Sequence, residues 1–243
     1  MDLKKTRTPL WQVIDLRKIL VFVSLLIIAL AVFTNMFLPG FISYTIENHL
    51  EKDIKAQNLQ GEIQTHPAFM IITGRINDLQ YKADSAIIGE TEVRDVSLTG
   101  SNIVVDMPKL LEKQLVVDKA ENMTLTCAID KKSLERLLVK RISRLHNATV
   151  EIKPQGITVQ ADIPLLGNNI ATVLQGKLYT KDGNVYFKIT EFDVENDLLG
   201  KFTIDSKEDI LLLDKSKLPF DSKIDSVMQE ENQILIKASA HKE

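Results

Sequence analysis

Four histidines, one cysteine and scattered carboxylates are the side chains of this 243-residue chain that could do acid–base, nucleophilic or metal chemistry. His49, His66, His146 and His241 form no His-Glu-x-x-His pair, the spacing that sets two imidazoles on one helix face. A single cysteine, Cys127, allows neither a Cys-x-x-Cys site nor an internal disulfide. It lies in the alternating run Met123, Leu125, Cys127, Ile129, which reads as a buried, inert thiol. The nearest approach to a Gly-x-Ser-x-Gly elbow is Thr99-Gly100-Ser101-Asn102, which lacks the second glycine. No phosphate loop or dinucleotide fingerprint is present. The carboxylate pairs Glu47/Glu51 and Glu230/Glu231 read as solvated charges. The residues make no positive case for an enzyme, a metal or a cofactor, and a non-enzymatic protein is expected.

What does stand out is apolar material where loops are normally polar. Pro67 to Ile72, Ile163 to Gly167, Leu198-Leu199-Gly200 and Leu218-Pro219-Phe220 are such stretches. A cavity wall and a core wall use the same residue types, so each stretch also suits ordinary packing. If they form an apolar groove for acyl chains, its candidate lipid contacts are Phe69, Met70, Leu165, Leu166, Phe187, Leu198, Leu199 and Phe220.

The elements that must position these residues begin with an uncharged run, Ile19 to Leu38. As a helix it spans about 30 Å, the thickness of a bilayer's hydrocarbon core. Lys4, Lys5, Arg7, Arg17 and Lys18 outweigh Asp2 and Asp15 ahead of it, which predicts a cytoplasmic N-terminus. A cleaved signal is the rival reading. It has a shorter apolar core and a small-x-small cleavage site, whereas here the exit is Asn35-Met36-Phe37-Leu38-Pro39-Gly40. The organisation expected is a cytoplasmic segment 1–18, a transmembrane signal anchor 19–38 and an extracytoplasmic domain 39–243. That domain would be periplasmic in a cell with an outer membrane. Removing the five basic and two acidic residues of the N-terminal segment from totals of 30 and 33 leaves 25 and 31, a net charge of −6. An acidic domain is a poor partner for nucleic acid and shows no basic cluster for lipid headgroups.

Phe41, Ile42, Ile46, Leu50 and Ile54 recur at helical spacing after Pro39, so a second helix follows the anchor almost directly. Beyond residue 59 the period becomes two. Ile72, Gly74 and Ile76, then Val96 and Leu98, then Ile157 to Ile163 and Val185 to Ile189 read as strands. Lys181-Asp182-Gly183-Asn184 reads as a hairpin turn. Asp130 is the expected cap of a helix with Leu134, Leu137, Leu138, Ile142 and Leu145 on one face and Glu135 and Lys140 off it. Asp221 is the expected cap of a shorter helix with Ile224, Val227 and Met228. The fold class is α+β: an N-terminal transmembrane helix, then a long antiparallel meander with a few amphipathic helices on its apolar face.

Several of these segments, in order, resemble the LmeA-type phospholipid-binding family of bacterial envelope proteins. They are Leu38-Pro39; Pro67-Ala-Phe-Met with Gly74 and Leu79; Val96-Ser-Leu-x-Gly100 with Ile103-Val-Val-Asp106 and Leu110-Leu111; Ile129-Asp130 with Ser133-Leu134 and Leu137-Leu138; Leu165-Leu166-Gly167 with Leu174 and Gly176; and Leu218-Pro219-Phe220 with Ile224. The resemblance implies kinship with tubular lipid-binding folds, in which a long curved sheet wraps a helix and encloses acyl chains. It carries no catalytic residue set. It implies a phospholipid or other lipid as partner, in envelope assembly or lipid transport. The alternative is a non-enzymatic structural or interaction module for a cell-wall or membrane-protein partner. An elongated apolar pocket would favour the first, and a filled core with an exposed patch the second. A reporter active only outside the cytoplasm, fused after Glu243, should be active, and the mature chain should begin at Met1 or Asp2. Activity of a cytoplasmic reporter alone, or a mature form starting near Phe41, would overturn the topology or the uncleaved anchor respectively.

Overall fold

The computed structural model describes residues 16–165, 168–196, 200–203 and 209–242. Helix α1, Leu16–Met36, carries the uncharged run and is long and apolar enough to cross a membrane. Its large apolar side chains are exposed, from Val23 at 42% to Met36 at 74%. Helix α2, Leu38–Asp53, continues it with Pro39 in its first turn. The amide of Phe37 donates to the Phe33 carbonyl and that of Phe41 to Phe37, so the helical path is unbroken between them. On α2 the apolar residues change environment. Ile42, Ile46 and Leu50, with Ile54 just beyond, are buried in the core.

Two antiparallel sheets form the rest. The first has the order β1-β2-β3-β4-β12-β11, with β1 Gln60–Gln64, β2 Arg75–Ile88, β3 Thr91–Val105, β4 Val117–Asp130, β11 Lys223–Glu230 and β12 Gln233–Lys242. The second has the order β10-β8-β7-β6-β5, with β5 His146–Lys153, β6 Gly156–Leu165, β7 Asn168–Lys181, β8 Asn184–Asn196 and β10 Asp209–Leu213; the short β9, Gly200–Thr203, pairs with β8. The architecture is thus α+β and mostly antiparallel, but it is not one meander. β12 returns from the end of the described chain to pair with β4, setting Ile234 against Ile129 and Ile236 against Cys127. All four are buried. No local periodicity encodes a pairing across that sequence separation. Edge strand β11 joins the two sheets: the Leu178 amide donates to Gln229 Oε1 at 2.9 Å and the Ile224 amide to the Gly183 carbonyl at 3.3 Å.

The expected Asp182-Gly183 hairpin forms between β7 and β8, with both residues at positive φ (53° and 79°). Three expectations are corrected. Ile72 and Gly74 are not in a strand: Ala68–Thr73 is a 3₁₀ turn, closed by Gly74 at φ 77°. A Cβ on Gly74 would lie 2.1 Å from the Val105 carbonyl oxygen, so only glycine fits. No helix follows Asp221; Ile224, Val227 and Met228 lie on β11. A bulge between Ile224 and Ser226 inserts an extra residue. It lengthens the spacing of the inward side chains from two to three, which imitates helical periodicity. The helix capped by Asp130 is real but ends at Arg141. Ile142 is its C-cap, and Leu145 is buried beyond it.

That helix is α4, Lys131–Arg141; the five-residue α3, Met107–Leu111, precedes it after β3. Asp130 Oδ1 accepts the Ser133 amide at 2.7 Å. Burial alone would raise this carboxyl, but the Ser133 hydrogen bonds and the nearby Arg94 guanidinium outweigh it and hold it below the usual range. Leu134, Leu137 and Leu138 are buried. Glu135 is not the idle surface residue that its place off the apolar face predicts, because its Oε1 accepts the Val150 amide of β5 at 2.9 Å. Leu138→Ala should therefore lose about 2–5 kcal/mol in urea unfolding. Exposed Lys132→Ala should stay within about 0.5 kcal/mol. Glu135→Ala should cost about 1–3 kcal/mol, since it orphans a strand amide. Equal effects at Leu138 and Lys132 would contradict this packing.

Candidate lipid-binding site

The inner face of the first sheet is occupied. Leu79, Tyr81, Leu98, Met123 and Leu125 are all buried in one core cluster with the apolar face of α2. Within it, Tyr81 Oη shares a 2.6 Å hydrogen bond with Ser43 Oγ, and Ser43 donates to Glu47 Oε1 at 3.0 Å. Burial pushes the Tyr81 phenol up to about 12, so it stays a neutral pin between α2 and the sheet. Clefts remain around this packing.

One apolar-lined cleft lies between α2, the first residues of β4, the last of β12 and the segment around Phe220. Its volume is about 350 Å³, near the low end of small-molecule pockets (about 300–1,000 Å³). Leu115, Val116, Val117, Ala120, Met123, Phe220 and Ala240 line it, with His49, Asp53 and Asp221 as its polar groups. His49 Nε2 lies 2.9 Å from Asp53 Oδ2, one helical turn on. The Phe220 ring is 6.3 Å from the His49 ring. Met123 alternates inward with Leu125 on β4 and pairs with Ala240 on β12, and Ala120, three residues before Met123, is buried where the pairing with β12 shifts register between Ala240 and Lys242. Small residues at 120 and 240 leave the space. Phe220 sits at φ 58°, ψ 33°, and Asp221 follows at φ 53°. A bulky side chain in the left-handed region costs roughly 1–2 kcal/mol, so the surrounding packing holds Phe220 over this cleft against its own backbone preference.

A second cleft of about 370 Å³ lies on the opposite, polar face of the same sheet. Met70, Ile76, Ile103 and Val104 line it together with His66, Arg75, Asn77, Asn102, Lys119 and Glu121. Strand register builds its cationic side. Arg75 pairs with Val104 and Val104 with Lys119, so the three form one row across β2, β3 and β4. The sequence gives no sign of this pair, because 44 positions separate its members.

The candidate lipid contacts therefore disperse. Phe220 borders the first cleft and Met70 the second. Phe69 projects from the 3₁₀ turn at 58% exposure. Phe187 borders neither cleft. It is fully buried in the second sheet, packed across Gly176, where a Cβ would come within 2.5 Å of its ring. Leu166, Leu198 and Leu199 lie outside the described residues, and of Leu165 only the backbone in β6 is described. Sequence reasoning missed Met123, Ala120 and Ala240. Only Met123 stood in a visible alternating run with Leu125, Cys127 and Ile129; the gap beside Ala120 and Ala240 had no local signal. Cys127 is buried, and its thiol is pushed up to about 12 by that burial. Among the described residues, no group of three or more His, Cys, Asp or Glu converges as a metal site would require.

The fold and clefts define an α+β, mainly antiparallel protein whose N-terminal helix is long and apolar enough to cross a membrane. The chain belongs to the LmeA-like phospholipid-binding family, whose family model matches residues 34–239. That match leaves out most of α1 and covers both sheets. Neither the curated proteins nor the solved structures contain a match to the chain.

The strain at Phe220 is directly measurable. Phe220→Ala and Phe220→Gly delete the same ring, but only glycine takes the left-handed conformation freely. The glycine variant should be more stable than the alanine variant by about 1 kcal/mol in chemical unfolding. Equal stabilities, or a more stable alanine variant, would show that the backbone at Phe220 is not held there.

Proposed function

We propose that the chain is a membrane-anchored extracytoplasmic protein that binds a phospholipid by taking acyl-chain methylenes into the cleft between α2, β4, β12 and Phe220. The observation that carries this reading is the position of an apolar-lined cleft beside the helix that continues α1, in a chain of a phospholipid-binding family. Each CH₂ buried there contributes about 0.8 kcal/mol, so affinity needs no charged headgroup contact. A 350 Å³ cleft accepts part of one chain, which suits partial extraction from a leaflet better than enclosure of a whole two-chain lipid. The α1 segment anchors the protein, with residues 1–18 cytoplasmic and 39–243 outside, and the setting is the cell envelope, in its assembly or in lipid transport.

The second reading, a non-enzymatic interaction module gripping an envelope protein, is favoured by one observation: the inner face of the first sheet is filled by its own side chains. One experiment separates the two. The full chain is placed in nanodiscs containing a phospholipid with a photoactivatable acyl chain, and the crosslinked peptides are mapped by mass spectrometry. Crosslinks are expected in α1, as annular lipid, and also at Met123 and Phe220. Ala240→Phe, which fills the cleft, should reduce the second set and spare the first, with an unchanged melting temperature as evidence of folding. Crosslinks confined to α1 in the native chain would overturn the lipid-binding reading and leave the interaction module.

A further inference from the structure

Exposed apolar side chains gather at one end of the first sheet. Beyond α1, Phe37 is exposed just ahead of α2 and Tyr44 on it, Phe69 (58%) and Ile72 (43%) on the 3₁₀ turn, and Leu111 (63%) on α3. Among the described residues only Val139 and Met228 are large, apolar and exposed elsewhere. The turn and α3 are neighbours. The turn leads into β2 at Arg75, α3 follows β3, and the Val105 amide donates to the Gly74 carbonyl at 2.9 Å. α1 packs beside the same turn. The opposite end of β2 and β3 differs: Glu90 there pairs with Lys140 and Arg141, and Glu92 with Arg136.

Cations accompany the apolar rim. Arg75 and Lys119 stand in one cross-strand row beside the turn, and neither has a carboxylate at ion-pair distance among the described residues. Lys109 on α3 is held by Asp106 at 3.4 Å. Glu121 lies in the same cleft and accepts a hydrogen bond from Asn102 at 2.8 Å. An apolar fringe flanked by cations, continuous with a helix that can cross a bilayer, matches the layered chemistry of an anionic membrane surface.

We propose that this end of the first sheet is a bilayer-docking face. Phe69 and Ile72 from the turn and Leu111 from α3 enter the acyl–headgroup boundary of the leaflet that α1 leaves, with Arg75 and Lys119 at the level of the lipid phosphates. The inference rests on the reading of α1 as a membrane segment, and it does not depend on lipid entering the cleft. Its consequence for the proposed function is orientation. A single helical tether leaves a domain free to tilt, whereas a second contact fixes it. Val117, Ala120 and Ala240 of the cleft come from this same end of the sheet, so docking sets the cleft beside the leaflet.

The test uses the full chain reconstituted in phosphatidylcholine vesicles containing phosphatidylglycerol. Single cysteines replace Phe69, Ile72 or Leu111 and carry a nitroxide; Met228→Cys is the aqueous control and Val23→Cys the control within α1. Buried Cys127 stays unlabelled. The nitroxides at 69, 72 and 111 should collide with oxygen more, and with a water-soluble nickel chelate several-fold less, than the one at 228. Nickel accessibility at 69 and 72 equal to that at 228, with 23 shielded, overturns the docking face and leaves the anchor intact. Full nickel accessibility at 23 removes the anchor and the docking face together. Raising the phosphatidylglycerol fraction should deepen the labels in the native background and not in an Arg75→Gln/Lys119→Gln background. Equal deepening in both would overturn the role given to these two cations.

Discussion

One helical path serves two environments, and the rest of the structure depends on where it changes. Along α1 every described apolar side chain is exposed; along α2 Ile42, Ile46 and Leu50 are buried. Backbone hydrogen bonds bridge the junction at Phe37, which donates to Phe33 and accepts from Phe41. The apolar stretch and the core of the first sheet are therefore mechanically coupled, with no flexible linker between them. Removing the buried face of α2 would expose the inner surface of the sheet that it covers. The Ser43–Tyr81 hydrogen bond then fixes how α2 lies on that sheet, because a buried phenol without a partner would be costly.

That coverage also limits the site. A helix packed along the sheet fills its inner face, and one apolar-lined cleft remains at the sheet's end. There, two alanines and the left-handed Phe220 leave a gap beside His49 and Asp53. On the proposed reading, lipid contact falls on an edge and a rim rather than in an enclosed barrel. The same end of the sheet carries the exposed turn Ala68–Thr73 and helix α3. The cleft and the apolar fringe are thus neighbours because strand order makes them so, although Phe69 and Phe220 are distant in sequence.

Charge follows the same geometry. The chain as a whole is acidic, with a net charge of −3, and a count of residues suggests no affinity for anionic surfaces. Strand pairing nevertheless lines up Arg75 and Lys119 across two ladders, while acidic groups at the far end of β2 and β3 are neutralised by α4. The local field at a surface depends on such placement more than on the sum.

The sequence by itself determined whatever depends on near neighbours. The uncharged run, Pro39 at the start of α2, the Asp130 cap, the Asp182-Gly183 hairpin and the alternation of β6 and β8 are all read within a few residues, because helix and strand periods are local. The ordered segments from Leu38-Pro39 to Leu218-Pro219-Phe220 were also enough to place the chain in its family. Tertiary structure decided the rest. Whether Phe187 lines a cavity or fills a core depends on Gly176 across the sheet, and whether Ile224 and Val227 are helical depends on a bulge against β12. Two sheets replace one meander because β5, beyond α4, does not pair with β4, whose edge β12 takes from a distance. The cleft exists only where Ala120 and Ala240 meet. These outcomes are set by contacts between residues far apart in the chain, and hydrophobic periodicity carries no information about which distant strand a strand will pair with.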